Sequence, residues 1–238
     1  MRRRRIPVLP AAFSLLCLLA LAAAFVAIHP AIGLPPHWNP LAPLNVAAPA
    51  TLLTRFKLRR SDAPEACFAA LDTSQAIYQR LPKLEAEGAC GISNRVRLSR
   101  VGDLQMDPVE TTCAIALRLA MWERHGLQPQ ARAQLGSEIT RIRHYSSYNC
   151  RPMRTSQGGT GRLSAHATAE AIDISGFVLR DGRPLDLDSG WGDPRYSNFW
   201  RSVFSGACRW FETSLGPDYN DLHADHFHLQ STGRGICR

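Results

Sequence analysis

Three histidines fall within six positions, at His223, His226 and His228, in a chain that holds eight in all. Upstream, Ser164-Ala-His166-Ala-Thr-Ala-Glu-Ala-Ile-Asp173 sets a histidine shortly before a carboxylate. Imidazole and carboxylate suit a borderline cation such as Zn²⁺, which in catalytic sites takes three protein ligands and keeps a fourth position open. His166 at the end of a loop and Asp173 on the strand after it can converge on one ion, with His228 on a neighbouring strand as the third ligand. Residues two apart on a strand share a face, so His226 points toward the same place as His228 without having to bind the ion. Asp225 faces away in a regular strand and reaches the site only if the strand opens with a bend. The plainer reading makes His166 and Asp173 a hydrogen-bonded pair at a loop–strand junction. His223 reads as an exposed histidine or as a support for the ligands.

These side chains need a sheet to hold them. Ala171 to Leu179, the turn Asp181-Gly182, and Arg183 to Leu187 predict a β-hairpin, because Asp-Gly tolerates the positive φ of a tight turn. Glu138 to Tyr148 alternates well enough for a strand, and His226 to Gln230 predicts a last short strand that carries the histidines. Helical spacing predicts one or two helices between Ser61 and Arg80. It predicts another over Thr111 to His125, stopped by Gly126, and a third over Asn198 to Thr213. Trp191, Trp200 and Trp210 read as core residues or the wall of a groove. Helices first and strands later give an α+β domain with a small antiparallel sheet.

The chain's formal charge of +8 comes entirely from Arg2 to Arg5 and from Arg55, Lys57, Arg59 and Arg60; no acidic residue precedes position 61, and residues 61–238 balance to zero. That distribution argues against a nucleic-acid partner. Ala11 to Ile28 is an unbroken run of apolar residues and one serine. It predicts a transmembrane anchor behind a basic cytoplasmic N-terminus (residues 1–10), with a lipid bilayer as partner. The alternative is a signal peptide cleaved near Ala22-Ala23-Ala24. Prolines punctuate residues 29–60, which predicts an extended spacer bearing a basic patch. The expected topology is a single-pass, N-in protein of the inner membrane, with residues 61–238 in the periplasm. Cysteine usage agrees with export. Cys17 lies in the apolar run, and Cys67, Cys90, Cys113, Cys150, Cys208 and Cys237 are an even set for three disulfides, whose pairing the sequence leaves open.

Tyr148-Asn-Cys150-Arg151, Ser164 to Ile174, Trp191, Ala207-Cys208, Leu215-Gly-Pro217 and Asp225 to His228 together resemble the pattern of the bacterial extensin-like C-terminal domain. Ala165 stands where that pattern has Glu, and Ala169-Glu170 where it has Gly-Asn. More distantly, Ser-x-His-x(6)-Asp followed by His-x-His is similar to zinc peptidases of the D-alanyl-D-alanine carboxypeptidase, lysostaphin and hedgehog group. That resemblance implies a zinc ion on His166, Asp173 and His228, with Asp225 or His226 as the base. It also implies substrate contacts from Arg151 and Ser164, although Arg151 reads equally well as half of a structural ion pair. The expected function is a metal-dependent peptidase or amidase acting on peptidoglycan stem peptides. The alternative is a non-catalytic envelope-binding module in which the ion is structural.

Overall fold

The computed structural model describes residues 8–29, 33–155 and 158–238. Arg2 to Arg5 and Pro30 lie outside the described residues. In chain order the helices are α1 (Val8–Ile28), α2 (Thr54–Arg60), α3 (Pro64–Leu71), α4 (Cys113–Trp122), α5 (Gln128–Leu135), α6 (Leu187–Gly190) and α7 (Ser197–Trp210). The strands are β1 (Ile77–Arg80), β2 (Leu84–Glu85), β3 (Gly91–Ile92), β4 (Arg95–Val101), β5 (Leu104–Thr112), β6 (Ile139–His144), β7 (Pro152–Thr155), β8 (Gly158–Leu163), β9 (Ala171–Leu179), β10 (Pro184–Asp186), β11 (Thr213–Leu215), β12 (Phe227–Gln230) and β13 (Ile236–Cys237).

A nine-stranded sheet runs β1-β4-β5-β6-β9-β12-β11-β13, with β10 also paired to β9. It is mixed: β5 pairs β6 in parallel and β11 pairs β13 in parallel, the other ladders being antiparallel. The small antiparallel sheet expected from sequence is corrected on both counts. Its missing half is β1, β4 and β5, of which β1 occupies the end of the segment read as helix. Alternation drives the long β4–β5 hairpin, since Val96, Leu98 and Val101 face the core opposite Leu104, Met106 and Val109.

Helices α4, α5 and α7 cover the sheet's inner face. The Thr112 hydroxyl caps α4 by accepting the Ile115 N–H. On α7 the residues Phe199, Trp200, Val203, Ala207 and Trp210 form a buried stripe at helical spacing. Phe199 and Val203, fully buried, each contribute on the order of 1.5–3 kcal/mol. Phe177 from β9 stacks on Trp200, whose edge meets Phe227 from β12. Gly126 does not stop the helical run. It lies in a π turn, Glu123–Leu127, which carries the chain from α4 into α5. There it faces Gly206 of α7; a Cβ on Gly126 would meet the Trp122 ring at 2.9 Å, and one on Gly206 would crowd the Gly126 Cα at 3.3 Å.

Two further expectations are corrected. Among the described residues no helix is long and apolar enough to cross a membrane. The transmembrane anchor expected from sequence is corrected on that finding, and the single-pass topology built on it loses its support. The segment read as an extended spacer lies against the domain, because Leu44, Val46 and Leu58 are buried in its core. Its basic patch is split, with Lys57 turned inward and Arg59 and Arg60 left at the surface. Lys57 is buried and donates to the Pro36 carbonyl, and Arg59 forms a two-pronged ion pair with Glu212.

Three disulfides staple the fold: Cys67–Cys113 joins α3 to α4, Cys90–Cys150 ties the β2–β3 turn to the loop after β6, and Cys208–Cys237 fixes β13 to α7. Cys17 is free.

Glu123 opens the π turn, buried, under the tight β4–β5 turn, where Gly102 has φ of 53° and a Cβ would overlap its carboxylate. Burial and the nearby Asp103 charge push its pKa up to about 7, against relief from Gln128 and the Asp103 N–H. The folded state thus holds this proton more tightly than the unfolded chain does. The associated stability is complete below about pH 4.5 and is lost as pH rises to about 7, a shift worth roughly 3 kcal/mol at most. Glu123→Gln is therefore expected to match the wild type in denaturant unfolding at pH 4 and to exceed it by roughly 1–3 kcal/mol at pH 8. Equal gains at both pH values would mean that the proton is not the cause.

Candidate metal centre

β9 and β12 are antiparallel neighbours in a register that sets His228 opposite Asp173. The flanking pairs, Phe227 with Ile174 and Leu229 with Ile172, are apolar and buried. With side chains alternating, the core takes those four and leaves Asp173 and His228 together on the other face. His228 Nδ1 lies 2.8 Å from Asp173 Oδ1.

His166 comes from a short 3₁₀ turn, Ala165–Thr168, which Ser164 caps by accepting the His166 N–H. The segment after β6 clamps this turn. Its Ser147 carbonyl accepts from His166 Nδ1 at 2.9 Å, the Asn149 N–H donates to the His166 carbonyl, and Ser146 and Tyr145 bond the backbone of Asp173. A carbonyl only accepts, so the His166 proton is on Nδ1 and the lone pair of Nε2 faces inward. That nitrogen stands 3.1 Å from His228 Nδ1 and 3.2 Å from Asp173 Oδ2.

His226 sits in the bend just before β12, with Nε2 3.5 Å from Asp173 Oδ1. Its Nδ1–H donates to Asp225 Oδ1 at 2.8 Å, and Tyr145 donates its hydroxyl to Asp225 Oδ2 at 2.8 Å. The bend therefore directs Asp225 onto His226 rather than into the cluster. His223 joins from the preceding turn: its Nδ1–H bonds Asn220 Oδ1, and its ring packs 5.3 Å from that of His226 and 5.6 Å from that of His228.

The electrostatics suit cation ligation. Burial raises the Asp173 carboxyl, but the adjoining His166 and His228 rings outweigh it and hold the group well below the usual carboxylate range. Burial lowers His228, and lowers His223 to about 4 with help from the neighbouring imidazoles. His228 and His223 are thus disposed to stay neutral beside one carboxylate, the protonation state that ligation requires. Two groups of donor atoms could hold an ion, His166 with Asp173 and His228, and His223 with His226 and His228. The first has separations of 2.8–3.2 Å. A tetrahedral site with zinc bonds of 2.0–2.1 Å sets its ligand atoms about 3.4 Å apart, so the residues fit such an ion with little adjustment.

Of the residues singled out from sequence, His166, Asp173, His226 and His228 are thus brought together, and Asp225 stands behind His226. Ser164 shapes the His166 turn. Arg151 bonds only the Pro152 carbonyl among the described side-chain contacts, and its own carbonyl holds the Ser164 N–H. The sequence reading missed Tyr145, Ser147 and Gln230, which bonds His228 Nε2 at 2.7 Å. It also treated His223 as peripheral, although three histidines in six residues was the available signal.

A disulfide-stapled α+β domain with a buried His-Asp-His cluster on one face of its sheet is the class these features define. The chain belongs to the extensin-like family, matching the extensin-like protein C-terminus over residues 65–238. No curated protein and no solved structure matches it.

The departure at Ala169 has a structural consequence. Ala169 is buried and ends the His166 turn at φ 51° and ψ 31°, in the left-handed region where the family pattern has glycine. Its Cβ is strained there, and the turn is held by the Thr112 hydroxyl, which donates to the Ala169 carbonyl. Ala169→Gly is expected to stabilise the protein by about 1 kcal/mol in chemical denaturation. A loss of stability would show that the methyl's packing outweighs the strain.

Proposed function

We infer that this chain is a metal-dependent peptidase or amidase of the cell envelope, acting on peptidoglycan stem peptides. The observation that carries this reading is the convergence of His166 Nε2, Asp173 and His228 Nδ1 beside an oriented His226. Three disulfides support a location outside the reducing cytoplasm. His166, Asp173 and His228 would hold the ion, most reasonably zinc given two imidazoles and one carboxylate. Zinc so bound supplies Lewis-acid polarisation of a scissile carbonyl and acidifies water.

The chain's own residues do the rest. His228 carries its proton on Nδ1 when the Gln230 amide N–H faces Nε2; to serve as a ligand through Nδ1 it would carry that proton on Nε2 instead, with the Gln230 amide turned to offer its oxygen. Asp225 fixes the His226 proton on Nδ1, which leaves Nε2 as an acceptor facing the cluster. His226 is therefore the base that takes a proton from attacking water and returns it to the leaving amine. Asp225 and Tyr145 are positioning residues that act through it. The deep burial of His166 and His228 favours a second reading, a closed structural metal in a non-catalytic wall-binding module.

Metal analysis and muropeptide cleavage, measured on the same preparations, test both readings. His166→Ala, Asp173→Ala and His228→Ala should each lose most of the bound zinc, because three ligands leave no redundancy. Full zinc in His228→Ala would move the site elsewhere. His226→Ala should keep the metal and lose roughly 10²–10⁴ in turnover. Asp225→Ala should lose less, and the double variant should be no worse than His226→Ala, since Asp225 works only through that ring. Full zinc with no cleavage of any wall peptide would leave the structural-metal reading standing.

A further inference from the structure

Beside the histidine cluster lies a separate cleft of ≈ 520 Å³ between α7 and the loop after β11, walled by Trp191, Phe204 and Tyr219 and edged by Arg201, Asp218 and Arg238. We propose that this cleft binds a sugar ring of a wall glycan, next to the bond-breaking centre. The choice of a wall glycan rests on the reading of the metal centre given above, and the choice of a sugar on the cleft alone.

Asp218 is held rigid from two sides. The Trp191 indole N–H donates to Oδ1 and an Arg201 guanidinium N–H to Oδ2, each at 2.8 Å, while the guanidinium lies 4.5 Å from the centre of the Trp191 ring. Trp191 is in turn locked by edge-on contacts with Phe204 and Phe227. A carboxylate oxygen has a second lone pair after one hydrogen bond, so Asp218 presents fixed, unfilled acceptor positions. Among the described residues the Arg238 guanidinium and the Tyr219 hydroxyl have no side-chain partner, and they add donors to the rim. The edge therefore alternates donor and acceptor over an aromatic lining, in a volume typical of small-molecule sites.

A pyranose ring matches that pattern, with C–H faces for the aromatic rings and hydroxyls that both donate and accept for the rim. A lipid chain would bury Asp218, Arg201 and Arg238 without replacing their water. An acidic peptide would bring its charge against Asp218. Placement favours a substrate-linked group: the Tyr219 ring is 5.4 Å from that of His223, which is 5.6 Å from that of His228. Two such steps correspond to about three residues of extended chain, so a sugar here belongs to the same molecule as a bond at the metal centre.

Calorimetric titration of the full chain with the wall glycan's disaccharide unit, stripped of peptide and in zinc-free buffer, tests the proposal. Saturable binding is expected, weakened about fivefold or more by Tyr219→Ala and by Arg238→Gln, two exposed positions that leave the core untouched. Trp191→Phe, which keeps the packing but removes the donor to Asp218, should weaken it as well. No saturable binding up to ~10 mM, or binding indifferent to all three changes, overturns the proposal. So does a free stem peptide that binds instead of the sugar and is lost in the same variants. Glycan binding that persists in His228→Ala, with no peptide cleaved by the wild type, upholds the cleft and removes only the hydrolytic reading. Cleavage without glycan binding removes only the cleft.

Discussion

The pairing of β9 with β12 is the constraint on which the rest of the molecule depends. Asp173 and His228 stand opposite one another only because Ile174 meets Phe227 and Ile172 meets Leu229 on the core face. A slip of β12 by one residue would turn His228 into the core and expose Phe227 and Leu229, leaving Asp173 without its partner, at a cost of several kcal/mol for each charged or polar group left unpaired. The core therefore sets the geometry of the polar cluster without touching it. Trp200 is part of the same device, since it lies between Phe177 of β9 and Phe227 of β12 and joins the two strands through helix α7.

His166 has no such register to rely on. Its turn is positioned largely by polar contacts: the Ser164 cap, the Ser147 carbonyl, and the Thr112 hydroxyl that reaches the Ala169 carbonyl. Ser147 is fully buried and its hydroxyl bonds both Thr111 and the Ala171 carbonyl, so the strand before α4, the clamp segment and β9 meet at one satisfied network. The Cys90–Cys150 bridge holds the far end of that segment. A polar network of this kind holds shape only while every member is satisfied. The strained Ala169 is tolerated because these contacts over-determine the turn around it.

What the sequence made legible follows from this division of labour. The β9–β10 hairpin, β12 and α7 carry strong local signals, namely an Asp-Gly turn, a short histidine-bearing strand and an apolar stripe at helical spacing. The strands β4 and β5 carried an equally plain alternation, Val96 with Leu98 and Leu104 with Met106, and went unread beside the more conspicuous helix that follows. The packing of residues 33–60 was hidden for a physical reason: proline density does favour an extended chain, and nothing local shows that Leu44, Val46 and Leu58 find a core to enter. The cluster itself was legible in type, because His166, Asp173 and His228 announce their chemistry by residue class. Its supports were not, since Tyr145, Ser147 and Gln230 are ordinary polar residues whose partners lie from two to 80 positions away.

The hydrogen-bond directions within the cluster bear on what it can hold. His166, His223 and His226 each spend their Nδ1 proton on an outside acceptor, respectively the Ser147 carbonyl, Asn220 and Asp225. Their remaining nitrogens are lone-pair acceptors, and Asp173 adds two more acceptor oxygens. Only the proton on His228 is available to this set from within. Acceptors crowded together repel, the more so where burial lowers the local dielectric, as around His166 and His228. Extra protons would relieve the crowding only by placing imidazolium rings side by side, which the burial of His228 and the lowered basicity of His223 oppose. A divalent cation satisfies several lone pairs at once from a single position and needs no proton on any ring. The outward-facing partners of the histidines thus favour a metal more firmly than the count of ligating residues does.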